Sequence, residues 1–281
     1  MTRILVIDGN EAATRTKHVS VGGTDSGNGY AATLERLNKD IHTDIVRPAD
    51  EVVKLPDGVA VGDYDGAVIT GSALNIYSLE AAVERQVELV QAVFAAGVPC
   101  FGSCWGLQVG VTAAGGKVVR NPRGREFGFG RRITLTQAGR DHPMFQGKPE
   151  VFEAPTVHVD TVDSLPPNST PLAHNDMGLQ AAEIKLKNGG TFWGVQYHPE
   201  YSCAEIAAMA RRYAETLIRD GLVKDRVELD ALAADLVALH ENPDDQRLAW
   251  RFGVGPAITD VSLRLAELRN WLERQVFRKG V

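Results

Sequence analysis

Apolar positions in the first hundred residues fall into short runs separated by longer amphipathic stretches. Arg3 to Asp8, Asp65 to Thr70 and Val98 to Gly102 have strand length and apolar centres, whereas Tyr30 to Leu37 and Leu79 to Ala95 carry helical spacing. With part of a short strand at Asp44 to Val46, this alternation predicts a parallel sheet wrapped by helices. Trp105 to Ala114 reads as a further helix, stopped by Gly115 and Gly116. From about residue 116 to 197 the pattern changes to short strands punctuated by Pro and Gly. Leu179 to Lys187 and Thr191 to Tyr197, joined by Asn188, Gly189 and Gly190, predict a hairpin.

After residue 202 strand signals vanish and the rest of the chain reads as helices. Asn242 as N-cap, Pro243 at the first helical position and acidic Asp244 and Asp245 in the first turn mark one helix start. Val261, Leu265, Leu268, Leu272 and Val276 form an apolar stripe, beside which Arg269 and Glu273 sit four apart. The stripe predicts a helix packed on the parent domain or on a partner. The fold class expected is therefore α/β, a mostly parallel open sheet with flanking helices over residues 1–202, plus an all-helical extension over 203–281. One stretch resists the pattern. Gly9 to Gly29 reads as a long connection between first strand and first helix, with Gly22, Gly23, Gly27 and Gly29, and is expected to be either a lid selecting substrate or an insertion.

Composition narrows the function. The 281 residues are 44% apolar and 23% charged, ordinary for a soluble globular protein, and 36 acidic against 30 basic residues argue against a binder of nucleic-acid backbone. Cys100, Cys104 and Cys203 make no C-x-x-C pair and no zinc spacing, so neither a disulfide framework nor a metal site is expected. Reduced thiols in the cytoplasm fit this usage. The apolar run Ile4 to Ile7 is too short for a signal-peptide core or a membrane span, so no membrane association is expected.

Two clusters carry chemistry. Gly102-Ser103-Cys104-Trp105-Gly106 stands between an apolar strand and a helix and matches a nucleophile elbow with cysteine in place of serine. Small residues are needed there because the turn is tight. A free thiol ionises near pH 8.5, so a helix N-terminus and a nearby imidazole would raise its thiolate fraction. The competing reading is a buried structural cysteine. Gln196-Tyr197-His198-Pro199-Glu200 closes the hairpin strand, where His198 can act as base toward Cys104 with Glu200 fixing its orientation.

Cys104-Trp105-Gly106-Leu107-Gln108 with His198-Pro199-Glu200 resembles the class I glutamine amidotransferases, which have a flavodoxin-like sheet. Gly115-Gly116-Lys117-Val118 and Arg125-Glu126-Phe127-Gly128 narrow the likeness to the glutaminase domain of GMP synthases and its stand-alone relatives. The resemblance implies a Cys104, His198, Glu200 triad and places Gln108 against the glutamine substrate. Oxyanion stabilisation would come from the Trp105 amide and, in Gly71-Ser72-Ala73 where the family has Gly-Gly-Pro, from the Ser72 amide. Gly71 would line the substrate. His158-Val159-Asp160 stands where relatives have His-Gly-Asp and would hold the amino-acid end of glutamine, or is an ordinary strand alternation. Gly22-Gly23-Thr24-Asp25-Ser26 imitates an ATP pyrophosphatase loop but does not follow its strand directly, and is set aside as chance.

The activity implied is hydrolysis of the glutamine side-chain amide through a Cys104 γ-glutamyl thioester, needing no cofactor or metal, with ammonia passed to a separate acceptor synthetase. Homo-oligomerisation is an alternative use of the tail. Two other readings stay open: a γ-glutamyl hydrolase or peptidase acting on γ-glutamyl amides, and a non-catalytic binding or regulatory module.

Overall fold

The computed structural model describes residues 2–78 and 80–277. A nine-stranded sheet forms its centre, in the order β2 (Ile41–Val46), β1 (Thr2–Ile7), β3 (Gly66–Ile69), β4 (Cys100–Ser103), β11 (Thr191–Val195), β10 (Gly178–Lys185), β9 (Ser169–Asn175), β6 (Glu126–Leu135), β7 (Val151–His158). The first five are parallel, and the arm from β10 to β7 is antiparallel. A separate antiparallel pair joins β5 (Lys117–Arg120) to β8 (Asp160–Ser164). The class expected from the pattern, α/β with flanking helices, is the one observed, and the hairpin around Asn188-Gly189-Gly190 is β10 and β11.

Parallel strands are covered on both faces, which is why their sequences are continuously apolar rather than alternating. Ile4 and Val6 of β1 enter one core with Val68, Phe101 and Val195, while Leu5 and Ile7 enter the opposite core with Ala67, Ile69 and Cys100. Helix α4 (Trp105–Ala113) packs into the second core through Trp105, Leu107, Val109 and Val111, alongside α3 (Ala81–Ala95), whose expected start at Leu79 lies outside the described residues.

The stretch from Gly9 to Gly29 is not a loop. It folds into α1 (Ala12–Ser20) and the first turn of α2 (Ser26–Leu37). The pattern missed α1 because its buried side chains are polar: Arg15 joins Asp8, Asp25 and Asp50, and His18 pairs with Glu205. Gly23 is required by close approach, since a Cβ there would fall on the His18 ring. Asp25 is the N-cap of α2, accepting from the Asn28 amide, so the glycine-rich run is helix punctuation and neither a free lid nor a phosphate loop.

The C-terminal helices pack on the sheet. Leu265, Leu268, Leu272 and Val276 of the stripe are buried, joined by Trp271, and share a core with Ile4, Val6 and Phe101, whereas Val261 is exposed. Trp271, three residues after Leu268, shares the stripe's face, and beyond it the helix changes register: Leu272–Val276 is a π turn, closed by Phe277 N donating to Leu272 O at 2.8 Å. Tyr197 OH donates to Glu267 at 2.6 Å, and Lys148 Nζ pairs with the same carboxylate at 3.0 Å. The expected helix start at Asn242 is displaced. Asn242 ends the helix Arg226–Glu241, and the next helix, Gln246–Phe252, is capped by Asp245, which accepts from Leu248 N. Among the described residues no helix is long and apolar enough to cross a membrane.

Candidate active site

Cys104 sits where β4 turns into α4, at the carboxyl edge of the parallel strands, the edge where open α/β sheets gather their ligands. Its backbone has φ 53° and ψ −102°, a conformation that L residues avoid and that costs on the order of 1–3 kcal/mol. The elbow's glycines have a steric cause. A Cβ on Gly102 would lie 2.4 Å from the Gly106 carbonyl carbon, and one on Gly106 would lie 2.5 Å from Ile69 O. Cys104 N donates to Val195 O at 2.7 Å, so the elbow is fastened to the strand that leads to His198.

His198 is buried, and its Nδ1 donates to Glu200 Oε1 at 2.6 Å. Its ring stacks on Tyr201 with centroids 3.9 Å apart and an interplanar angle of 1°. Burial opposes charge on this imidazole, yet the Glu200 carboxylate and the negative charge of Cys104 outweigh it and raise its pKa to about 10. The other thiols differ. Burial alone pushes the Cys100 thiol far up, and burial raises Cys203 to about 11 against the opposing pull of Arg264.

Gly71 touches the other side of the imidazole, for a Cβ there would lie 2.4 Å from His198 Cε1. Its carbonyl accepts from Asn10 Nδ2, and Ala73 N donates to Asn10 Oδ1, so Asn10 shapes the turn that carries the Ser72 amide. Sequence reasoning missed Asn10, Tyr201 and Tyr77. Asn10 neighbours motif residues only in space and no local signal marks it, whereas Tyr201 directly follows Glu200 and is turned back onto His198 by its own amide, which donates to His198 O at 3.1 Å. Asn10, Gly71, Ser72, Val157, His198 and Tyr201 line a cleft of about 10 Å³, room for roughly one water molecule. Val157 O accepts from the Cys104 thiol at 3.6 Å.

The remaining residues expected at the substrate, Gln108, His158, Val159 and Asp160, do not line this cleft, and each has hydrogen-bond partners within the protein. Gln108, one turn into α4, donates from Nε2 to Gln196 Oε1 at 3.3 Å, bracing the chain just before His198. His158 Nδ1 donates to Asp160 O at 2.9 Å, and its Nε2 meets Glu126 Oε2 at 2.8 Å. Val159 O accepts from the Asn121 amide, and Asp160 Oδ1 accepts from Tyr77 OH at 3.0 Å. Burial holds the Asp160 carboxyl above its ordinary range. Tyr77 thus ties the segment bearing Ser72 to the start of β8. Among the described residues no group of three His, Cys, Asp or Glu side chains could hold a metal ion.

A strained cysteine at a sheet-edge elbow, with a carboxylate-tethered histidine from a neighbouring strand, defines a cysteine-type site on a flavodoxin-like sheet. The profile of the family described as glutamine amidotransferase class-I matches residues 24–212, and the chain belongs to that family. It is 36% identical over 98% of its length, and 93% of the relative's, to a gamma-glutamyl-L-1-hydroxyisopropylamide hydrolase of Pseudomonas sp. It is also 28% identical to a glutamine-hydrolyzing GMP synthase of Thermomicrobium roseum, over 75% of this chain but 37% of that protein. Among solved structures, a glutamine amidotransferase of Thermotoga maritima has the same fold, with TM-score 0.62 and 20% identity over 98% of each chain.

Proposed function

We propose that this protein is a cysteine-nucleophile hydrolase of γ-glutamyl amides, releasing glutamate and an amine. The observation that carries it is the strained elbow at Cys104, fastened through its amide to the strand that leads to His198, whose Nδ1 is held by Glu200. In this reading His198 is protonated and stabilises the Cys104 thiolate, which attacks the γ-carbonyl carbon. The carbonyl electrons move onto oxygen, which accepts from the Ser72 and Trp105 amides. Collapse breaks the C–N bond as His198 gives its proton to the departing nitrogen, leaving a γ-glutamyl thioester. Water, deprotonated by His198, attacks the thioester. Glutamate leaves and the thiolate with its imidazolium partner is restored.

The identity of the leaving amine separates two readings. Similarity to a γ-glutamyl amide hydrolase runs through the C-terminal helices, and this supports a free-standing hydrolase with a substituted amine as leaving group. The alternative, release of ammonia from glutamine for an acceptor synthetase in another chain, draws on the relatives named GMP synthase and imidazole glycerol phosphate synthase subunit HisH. We take residues 1–202 as the catalytic unit and 203–281 as an extension packed on it. Gly71, Gln108, His158, Val159 and Asp160 are assigned to the glutamyl group, with Gln108 exchanging its present partner, Gln196, for substrate while Asp160 keeps Tyr77.

Amine release from glutamine and from γ-glutamyl amides of small alkylamines and amino alcohols tests the choice. The expected result is kcat/KM at least about 10-fold higher for a substituted amide, which corresponds to roughly 1.4 kcal/mol of transition-state preference. Faster turnover of glutamine than of every substituted amide would return the assignment to ammonia supply. Absence of turnover on all of them, alone and with candidate synthetases, would favour a binding module.

A further inference from the structure

A second, larger cavity of about 410 Å³ lies on the far side of Glu200 from the histidine it holds. Its walls come from α2, the start of the helix Cys203–Arg212, and the C-terminal residues His240 and Arg264, which lie beyond the family match at residue 212. Charges of both signs line it: Arg36 and Arg264 on one hand, Asp25, Glu200 and Glu205 on the other. Two of these groups are buried with unmet hydrogen-bonding capacity. Arg264 is 5% exposed, its Nη1 donates to Ile258 O at 3.1 Å, and its Nε has no partner among the described residues. The Glu200 side chain is 6% exposed, and its Oε2 likewise has no partner among the described residues.

Buried polar groups without partners are costly, and more so when charged, which favours an occupant able to reach both. Arg264 is close enough to feel both Arg36 and Glu200 electrostatically. Two guanidinium groups facing one space call for a carboxylate between them, and the unpartnered Glu200 Oε2 calls for a cationic donor. Neither an anion alone nor an amine alone meets both needs. The volume suits a molecule of amino-acid size.

We propose that this cavity binds a small zwitterion, an amino acid whose carboxylate meets Arg264 and Arg36 and whose ammonium group meets Glu200 Oε2 and Glu205. The proposal concerns binding and does not depend on the reaction assigned to Cys104. Titration calorimetry on the full chain with glycine, L-alanine and L-serine, and with acetate and methylammonium as half-ligands, tests it. At least one amino acid should bind saturably, with each half-ligand at least 10-fold weaker. Arg36→Ala, an exposed position that can be changed without disturbing the core, should weaken that binding about 10-fold while leaving γ-glutamyl amide hydrolysis without added amino acid unchanged. Arg264→Met should abolish it, and Arg36→Ala stands as the control should Arg264→Met fail to fold. No saturable binding by any of the three amino acids, equal affinity for acetate, or an affinity untouched by Arg36→Ala would overturn the proposal.

Discussion

At the residue scale, the site separates one thiol from two others by environment. Cys104 faces an imidazole, whereas burial raises both Cys100 and Cys203, the latter against the opposing pull of Arg264. A glutamine-like electrophile should therefore label Cys104 alone. Cys104→Ala should abolish labelling and turnover, and Cys100→Ala and Cys203→Ser should keep most of both, as mass spectrometry of the modified peptide will report. His198 moves protons in both half-reactions while Glu200 only holds it. His198→Ala should lose about 10²–10⁴ in kcat, and Glu200→Gln far less. The pH profile distinguishes their roles. With its pKa raised to about 10, His198 stays protonated through neutral pH, so no imidazole titration near 6.5 should appear in the pH profile of Cys104 alkylation. In Glu200→Gln the largest raising influence is gone, and protonated His198 should be lost at lower pH. The linked stability has the same sign. It is fully present below the ordinary imidazole value near 6.5 and fades as pH rises toward about 10.

At the element scale, the segment between β1 and α2 changes what mutagenesis should do. A free loop tolerates shortening, but residues 19–28 contain the end of α1, the Gly23 contact on His18 and the Asp25 cap, so their removal should destabilise the fold rather than retune specificity. A milder test is Asp25→Ala. It removes the acceptor for Asn28 N and a partner of Arg15 and Arg47, and should cost about 1–2 kcal/mol in denaturant unfolding with kcat little changed. A comparable loss of kcat without loss of stability would move Asp25 into the site. Tyr77 is the other element-level contact, since it ties the Ser72 segment to Asp160 through one hydrogen bond. Tyr77→Phe should release that segment, and at about 1 kcal/mol for such a bond KM should rise roughly fivefold with a smaller effect on kcat.

For the whole molecule, the C-terminal helices are part of the sheet's own core. Trp271 packs against Phe101 with ring centroids 6.1 Å apart, two residues before Ser103 and the elbow. Glu267 holds both Lys148 and Tyr197, the residue before His198. Glu267→Ala leaves a buried ammonium unpaired and should cost about 3–5 kcal/mol, against a much smaller cost for Arg269→Ala, whose exposed guanidinium donates to Ser262 O. Deleting residues 257–281 should uncover Ile4, Val6 and Phe101 and yield insoluble or molten protein. A soluble truncated chain with full Cys104 labelling would mean that the sheet does not need this cover.

What the sequence determined by itself is what local geometry dictates. The elbow glycines, the apolar parallel strands, the hairpin turn and the i, i+2 spacing of His198 and Glu200 depend on residues next to one another, so their pattern is legible along the chain. Helix α1 was not legible, because its buried face is made of Arg15 and His18, whose partners Asp8, Asp50 and Glu205 come from elsewhere in the sequence. Nor were Asn10 and Tyr77, whose contacts with Gly71 and Asp160 arise only when the sheet closes; the stack of Tyr201 on His198, three residues apart, is by contrast a local contact. The assignment of Asp245 rather than Asn242 as a helix cap, and the π turn at Leu272–Val276, were likewise decided by packing. Polar burial and register shifts are settled by tertiary neighbours, because a charged side chain becomes a core residue only once its counter-charge has been brought to it.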